Sequence, residues 1–229
     1  MYMYPFSFDE FLEAQGLGLQ TDYKQNEADC EHPLPAPLHQ EMISQLRSYY
    51  LVGGMPEAVR IWVETTDYNV TPVTHTAAND IPLGAEINEK FRKFLFLDVG
   101  LMQSSLGIQP MDILITNETD FVNKGRMSEI FARLELMKYA SYLKKADLYY
   151  WQRTERNAQA EVDYVISRKG KIYPIEVKAN NSGSMQSMYK FMELKGSDYG
   201  IRTSLEPFSS YEKVKVVPLY ALSNKMLQE

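Results

Sequence analysis

Residues 161–178 constrain the fold more than any other part of the sequence. Two apolar-rich runs flank the segment 168–171, in which Lys169 and Gly170 form a natural two-residue hairpin turn because glycine supplies the positive φ. The turn fixes the register, so the residue numbers of opposed pairs must add to 339. A shift of one residue would move every side chain to the other face of the hairpin.

In this register the polar residues of the hairpin share one face. Asp163 opposes Glu176 and Glu161 opposes Lys178, with the Cβ atoms of opposed residues roughly 5 Å apart. The other face is apolar and is predicted to pack on the core. It carries Val162, Tyr164, Ile166, Tyr173, Ile175 and Val177.

Two directly opposed carboxylates repel each other, and a divalent cation between Asp163 and Glu176 would reverse that penalty. Mg²⁺ typically uses one or two carboxylates and keeps waters for the substrate. Lys178 would point into the same site, where an ammonium holds a phosphate or stabilises developing negative charge. The alternative is a solvated strand face on which Glu161 pairs with Lys178. The pattern alone leaves both interpretations open.

A helix predicted over residues 127–143 adds a third carboxylate, Glu129. This residue shares a stripe with Leu136, Ala140 and Leu143. A wider apolar stripe of the same helix consists of Met127, Ile130, Phe131, Leu134 and Met137. Glu129 therefore either joins the acids of the hairpin or stabilises the first helical turn through the helix dipole.

The element pattern predicts an α+β fold with an α-β-β-β-α-β core. The predicted elements of this core are a helix at 127–143, strands at 148–152, 161–167 and 172–178, a helix at 184–194, and strands at 199–203 and 213–219. Residues 1–110 are predicted to form a mainly helical unit, with helices at 5–12, 39–51 and 56–64 and a polar, turn-rich stretch at 65–90. The Gly-, Pro- and polar-rich segment 107–124 predicts the boundary to a second unit, residues 121–229.

Charge divides the chain near the same place. Residues 1–120 carry 6 Lys and Arg against 18 Asp and Glu, whereas residues 121–229 carry 18 against 12. The basic second half fits a nucleic-acid partner, or the two halves attract each other.

The chain has one cysteine, Cys30, which suits a reducing, cytoplasmic compartment. No apolar run reaches the roughly 18 residues of a membrane span, so no membrane partner is expected.

The acids and the lysine resemble the PD-(D/E)XK nuclease superfamily, which has a helical Glu, then an Asp, then Glu-x-Lys on the next strand. The corresponding pieces are SEIFARLEL with Glu129, EVDYVI with Asp163, and IEVKA with Glu176 and Lys178. The string YYWQRTERNAQAEVDYVISRKGKIYPIEVKA closely resembles the C-terminal domain of a class of bacterial and archaeal AAA-type ATPases of unknown function. YPFSFDEFL, YYLVGGMPEAV, IPLGAEINEKFRKFLFLDVGLM and NKGRMSEIFARLEL extend the resemblance over most of the chain.

This resemblance implies a restriction-endonuclease-like core that hydrolyses phosphodiesters in nucleic acid, with DNA as the expected substrate. Asp163 and Glu176 would bind Mg²⁺ or Mn²⁺ with the help of Glu129, and the metal would activate the attacking water. Lys178 would position that water or neutralise the charge of the phosphorane.

The resemblance also bears on residues beside the acids. Glu161 would either support a metal ligand or pair with Lys178. Gln186, at the start of the following helix, would either contact a backbone phosphate or be an ordinary exposed residue. The aromatic run Tyr149, Tyr150 and Trp151 is expected in the core rather than as a platform for bases.

Family members carry an ATPase module and a winged-helix-like middle before this domain. The present chain contains no G-x-x-x-x-G-K-[ST] motif, and YPFSFDEFL resembles the end of the ATPase module. We therefore expect no ATP hydrolysis by this chain, which would be an excised fragment or a truncated gene. Three functions are open: a nuclease, a catalytically silent module that binds nucleic acid or protein or regulates the missing ATPase, and a remnant that covers exposed apolar surface by homo-oligomerisation.

Overall fold

A computed structural model describes residues 5–54, 70–96, 98–107, 124–138, 147–153, 160–178 and 184–224. Its helices are α1 (Phe8–Ala14), α2 (Gly18–Asn26), α3 (Ala36–Val52), α4 (Val99–Leu106), α5 (Lys124–Lys138) and α6 (Gln186–Lys195). Its strands are β1 (Val70–Thr76), β2 (Ile87–Phe96), β3 (Tyr149–Gln152), β4 (Glu161–Arg168), β5 (Lys171–Val177), β6 (Gly200–Ser204), β7 (Ser209–Tyr211) and β8 (Val214–Pro218). Two short 3-10 helices span Leu83–Glu86 and Leu219–Ala221.

The strands form one mixed sheet in the order β2-β1-β3-β4-β5-β6-β8-β7. The pairs β1/β2, β3/β4, β4/β5 and β7/β8 are antiparallel, whereas β1/β3, β5/β6 and β6/β8 are parallel. The predicted α+β class and the predicted order, here α5-β3-β4-β5-α6-β6, are confirmed. Among the described helices, none is both long enough and apolar enough to span a membrane.

The region before residue 100 contributes two strands that the sequence did not reveal. β1 and β2 lie within or next to the stretch predicted to be turn-rich, and β1 pairs in parallel with β3 of the second half. The first six residues of β2 are exposed, so the strand lacks the apolar alternation that marks a half-buried strand. The predicted helix at 56–64 and most of the predicted boundary segment lie outside the described residues, and the division into two units stays a prediction.

The hairpin has the predicted turn and register. Lys169 and Gly170 both have positive φ, 44° and 75°, as a two-residue turn with matched twist requires. The paired residues run from Arg168 opposite Lys171 to Tyr164 opposite Ile175, and every pair adds to 339. Asp163 and Glu176 are the next residues along the two strands.

A β-bulge in β4 corrects the predicted division into faces. Val162 pairs with Trp151 and Val165 pairs with Tyr149, so two residues of β4, Asp163 and Tyr164, stand opposite one residue of β3. Val162 therefore packs with Val165, Trp151, Ile172 and Phe191, not with the cluster that holds Tyr164 and Ile175. The reason is that a bulge shifts the alternation of side chains by one residue.

Helix α5 packs on β5 and presents the predicted apolar stripe. The stripe residues Met127, Ile130, Phe131, Leu134 and Met137 are all buried. The helix begins at Lys124, three residues before the predicted start, so Glu129 lies in its second turn. Glu129 is thus the sixth residue of the helix as described, whereas the helix dipole acts mainly over the first turn.

A buried polar cluster ties the N-terminal helices to α5 and to the end of the chain. Glu135 of α5 is fully buried, and one carboxylate oxygen accepts a hydrogen bond from the backbone N–H of Phe8 at 2.8 Å. Beside it, Asp9 pairs with the buried Lys24 at 2.6 Å. The Lys24 ammonium also donates to the carbonyl of Tyr220 at 3.0 Å. The cluster thus pairs the charges of Asp9 and Lys24, which the fold has removed from water.

Candidate functional site

The carboxylate of Asp163 lies against the end of β5. Its Oδ2 accepts a hydrogen bond from the backbone N–H of Val177 at 2.8 Å. This bond lies just beyond the last paired residues of the hairpin, and it joins Asp163 to the residue that follows Glu176. Burial raises the pKa of Asp163, while the Val177 N–H and the ammonium groups of Lys93 and Lys178 oppose the shift.

Glu176 is the most buried carboxylate of this group, with 6% of its surface exposed. Its Oε1 pairs with the Lys178 ammonium at 2.6 Å. Its Oε2 is buried and has no hydrogen-bond partner among the residues that the structure describes. Burial and the neighbouring Asp163 raise the pKa of Glu176 to about 7, against the opposing effect of Lys178. Glu176 thus keeps one carboxylate oxygen open inside the protein.

Glu129 reaches the same site from α5. The hydroxyl of Tyr164 donates to the backbone carbonyl of Glu129 at 2.8 Å and so fixes this turn of the helix against β4. Burial and then Asp163 raise the pKa of Glu129, which Lys93 opposes. Among the three predicted acids, Asp163 therefore interacts electrostatically with both Glu129 and Glu176 at one end of the hairpin.

Lys93 is a member of the site that the sequence did not predict. Its ammonium pairs with Oε1 of Glu161 and lies 3.8 Å from Oε1 of Glu129 and 4.0 Å from Oδ1 of Asp163. It also lies 4.8 Å from the centre of the Tyr150 ring. No local signal marked it, because Lys93 belongs to β2, which the sequence did not predict as a strand.

The two remaining candidates are Glu161 and Gln186. Glu161 pairs with Lys93 and Lys178 pairs with Glu176, which differs from the alternative in which Glu161 pairs with Lys178. The bulge accounts for this change, because it breaks the simple alternation on which the pairing depended. Gln186 is exposed at the first position of α6, and a role at a phosphate stays a prediction.

The aromatic run of β3 is largely core, as expected. Tyr150 and Trp151 are buried, and Trp151 packs edge-on against Phe191 with ring centres 5.3 Å apart. Tyr149 is half-buried. The buried rings of Tyr150 and Trp151 therefore belong to the core and are not available as a stacking surface for bases.

Comparison with protein families adds one finding to this geometry. Residues 124–222 match the model described as Domain of unknown function (DUF4143). That domain is known as the C-terminal part of AAA-type ATPase proteins. The DUF4143 match contains Glu129, Asp163, Glu176 and Lys178 but stops short of Lys93. Neither the curated proteins nor the solved structures contain a match to the chain.

The chemistry of the DUF4143 region can be tested against a hard divalent cation. Within the described residues, no three or more His, Cys, Asp or Glu side chains are arranged to hold a metal ion. The pair Asp163 and Glu176 meets a smaller requirement, since Mg²⁺ commonly takes one or two carboxylates and completes its shell with water. The open Oε2 of Glu176 provides an oxygen for such an ion. The pair Asp163 and Glu176 therefore fits a divalent cation. Glu129 is placed differently, because it shares the Lys93 ammonium with Glu161.

Proposed function

We propose that the end of the β4–β5 hairpin, together with α5, is a metal-dependent nuclease-like site that hydrolyses phosphodiesters in nucleic acid. One observation carries the proposal: Asp163 and Glu176 lie side by side, and a buried oxygen of Glu176 lacks a hydrogen-bond partner among the described residues. Burying such an oxygen costs free energy, which a bound cation would recover. The resemblance of the motif to the PD-(D/E)XK nucleases supports the same function.

Each residue has a separate task in this proposal. Asp163 and Glu176 would hold Mg²⁺ or Mn²⁺, and Glu129 would add a ligand or hold a water of the ion. A bound divalent ion supplies an activated water and stabilises the leaving oxygen. The Val177 N–H fixes the orientation of the Asp163 carboxylate. Lys178, held by Glu176 at 2.6 Å, would neutralise the negative charge that develops on the phosphate.

A second candidate function is a catalytically silent module that binds nucleic acid or protein, or regulates the ATPase of its family. Lys93 favours this candidate, because its ammonium already neutralises charge among Glu161, Glu129 and Asp163. An acidic cluster that is neutralised from within needs no metal ion for stability.

Plasmid cleavage separates the two candidates. We expect the wild-type chain to cut supercoiled DNA with Mg²⁺ or Mn²⁺ and not with EDTA. Asp163→Asn, which keeps the shape of the side chain, should lose at least about 100-fold in rate, since even a residue that only supports a metal ligand contributes 10- to 100-fold. Glu193→Gln, an exposed carboxylate of α6, is the matched control and should cut like the wild type.

Two results would decide against hydrolysis. Cutting that survives Asp163→Asn would come from a contaminant. DNA binding that weakens steeply with salt, without cleavage under either metal, would identify the silent module instead.

A further inference from the structure

Lys93 reaches the acid site from a part of the chain that precedes all of the acids. It lies on β2, the edge strand of the sheet, whose other basic residues face solvent. Lys90 is exposed, and Arg92 pairs with Glu89 at 2.9 Å on the surface. Lys93 is only 22% exposed at its side chain and turns towards the acids. Among the basic residues of β2, it alone contributes to the site.

The Lys93 ammonium places one positive charge among the acids, where a bound metal ion would also place positive charge. Burial lowers the pKa of Lys93, but Glu161, Glu129 and Asp163 together more than offset this, so the pKa is raised and the group is cationic. Its contacts are of two kinds. Glu161 forms a direct ion pair, whereas 3.8 Å to Glu129 and 4.0 Å to Asp163 exceed the length of a hydrogen bond. Only the contact with Glu161 is therefore a bonded one.

Because only Glu161 is hydrogen-bonded to Lys93, the weaker contacts of Lys93 with Glu129 and Asp163 can be lost at little cost. Glu161 is the most solvent-exposed acid of the three, at 44% of its side chain, whereas Glu129 and Asp163 are 21% and 22% exposed. The ammonium can thus keep its exposed partner Glu161 and withdraw from the two inner acids without breaking a hydrogen bond. Of these two inner acids, Asp163 is the one that interacts with Glu176, whose Oε2 is open.

We propose that Lys93 is a displaceable internal counter-ion, and that its ammonium and a divalent cation compete for Asp163. This inference rests on the proposed function, because it requires a metal site at Asp163 and Glu176. Without metal, Lys93 stabilises the acids in the folded chain. When metal binds, Lys93 retains Glu161 alone. The affinity of the site for metal is therefore lower than its acids by themselves would give.

Calorimetric titration with MnCl₂ tests the competition without any measurement of cleavage. Lys93→Met keeps an unbranched side chain, shorter by one heavy atom, and removes the charge, and it should bind Mn²⁺ at least about tenfold more tightly than the wild type. Lys93→Arg keeps the charge and should not. Lys90→Met, an exposed lysine of the same strand, is the matched control and should leave the affinity unchanged. If Lys93→Met does not fold, Lys93→Gln replaces it with a polar tip.

Each outcome has a distinct meaning. Equal Mn²⁺ affinity in wild type and Lys93→Met overturns the inference about Lys93 and leaves the proposed metal site standing. Absence of Mn²⁺ binding in every variant overturns the metal site of the proposed function, and the competition with it. A gain that persists when Asp163→Asn is added to Lys93→Met places the ion elsewhere and overturns the inference. A gain that Asp163→Asn removes supports it.

Discussion

Glu135 makes the stability of this protein depend on pH in a direction that the structure specifies. Burial, and then the nearby Asp9, raise the pKa of Glu135 from an ordinary value of 4.5 to about 8. Between these values the unfolded chain releases the proton and the folded chain keeps it. The stabilising contribution is thus fully present below about pH 4.5 and is lost as the pH rises through about 8. A shift of this size corresponds to at most about 5 kcal/mol.

Glu135→Gln isolates this effect because glutamine copies the protonated acid. The amide oxygen can still accept the hydrogen bond from the N–H of Phe8. The free energy of unfolding, measured by urea denaturation, should be similar in Glu135→Gln and wild type at pH 5. At pH 8 to 9 the variant should be more stable by a few kcal/mol. Comparing the two chains at each pH cancels the titration of all other groups.

The result that would refute this reasoning is simple to recognise. If the difference in unfolding free energy between Glu135→Gln and wild type stays constant from pH 5 to 9, or falls, Glu135 is not held protonated by burial. Glu13→Gln, at an exposed glutamate of α1, is the matched control for this measurement.

Two further substitutions test the frame of the site by urea denaturation. Gly170→Ala should destabilise the hairpin by about 1 to 2 kcal/mol, because Gly170 has φ of 75°, whereas Gly125→Ala in α5 should be neutral or stabilising. Equal effects would mean that the turn does not need its left-handed residue. Tyr164→Phe should cost about 1 kcal/mol by removing the 2.8 Å hydrogen bond to the Glu129 carbonyl, and Tyr211→Phe, a partly exposed tyrosine, should cost less. An unchanged stability in Tyr164→Phe would show that this bond does not hold α5 in place.

The hairpin could be predicted because its determinants are local. Gly170 fixes the turn, and the alternation on both strands follows from it. The same reasoning placed Asp163 next to Glu176 and put Lys178 in the site. The bulge at Asp163 could not be found in this way, because it arises from the pairing of β4 with β3. Val162 was therefore assigned to the wrong face.

Lys93 was missed for a different reason. An edge strand with exposed residues on both sides has no apolar period, so β2 does not look like a strand in the sequence. Its lysine meets Glu129 and Asp163 only because the sheet joins distant parts of the chain. Long-range pairing of this kind leaves no trace in local spacing. The sequence does not predict the burial of Glu135 and Lys24 either, because their partners are also distant in the chain.

The position of Lys93 outside the DUF4143 match has a consequence for comparing proteins of this kind. The acids and Lys178 belong to the matched segment, whereas the residue that sets their net charge belongs to the segment before it. If Lys93 competes with the cation as proposed, two chains with identical acid motifs, one with Lys93 and one without, would differ in their affinity for the cation. The motif alone would predict equal affinities.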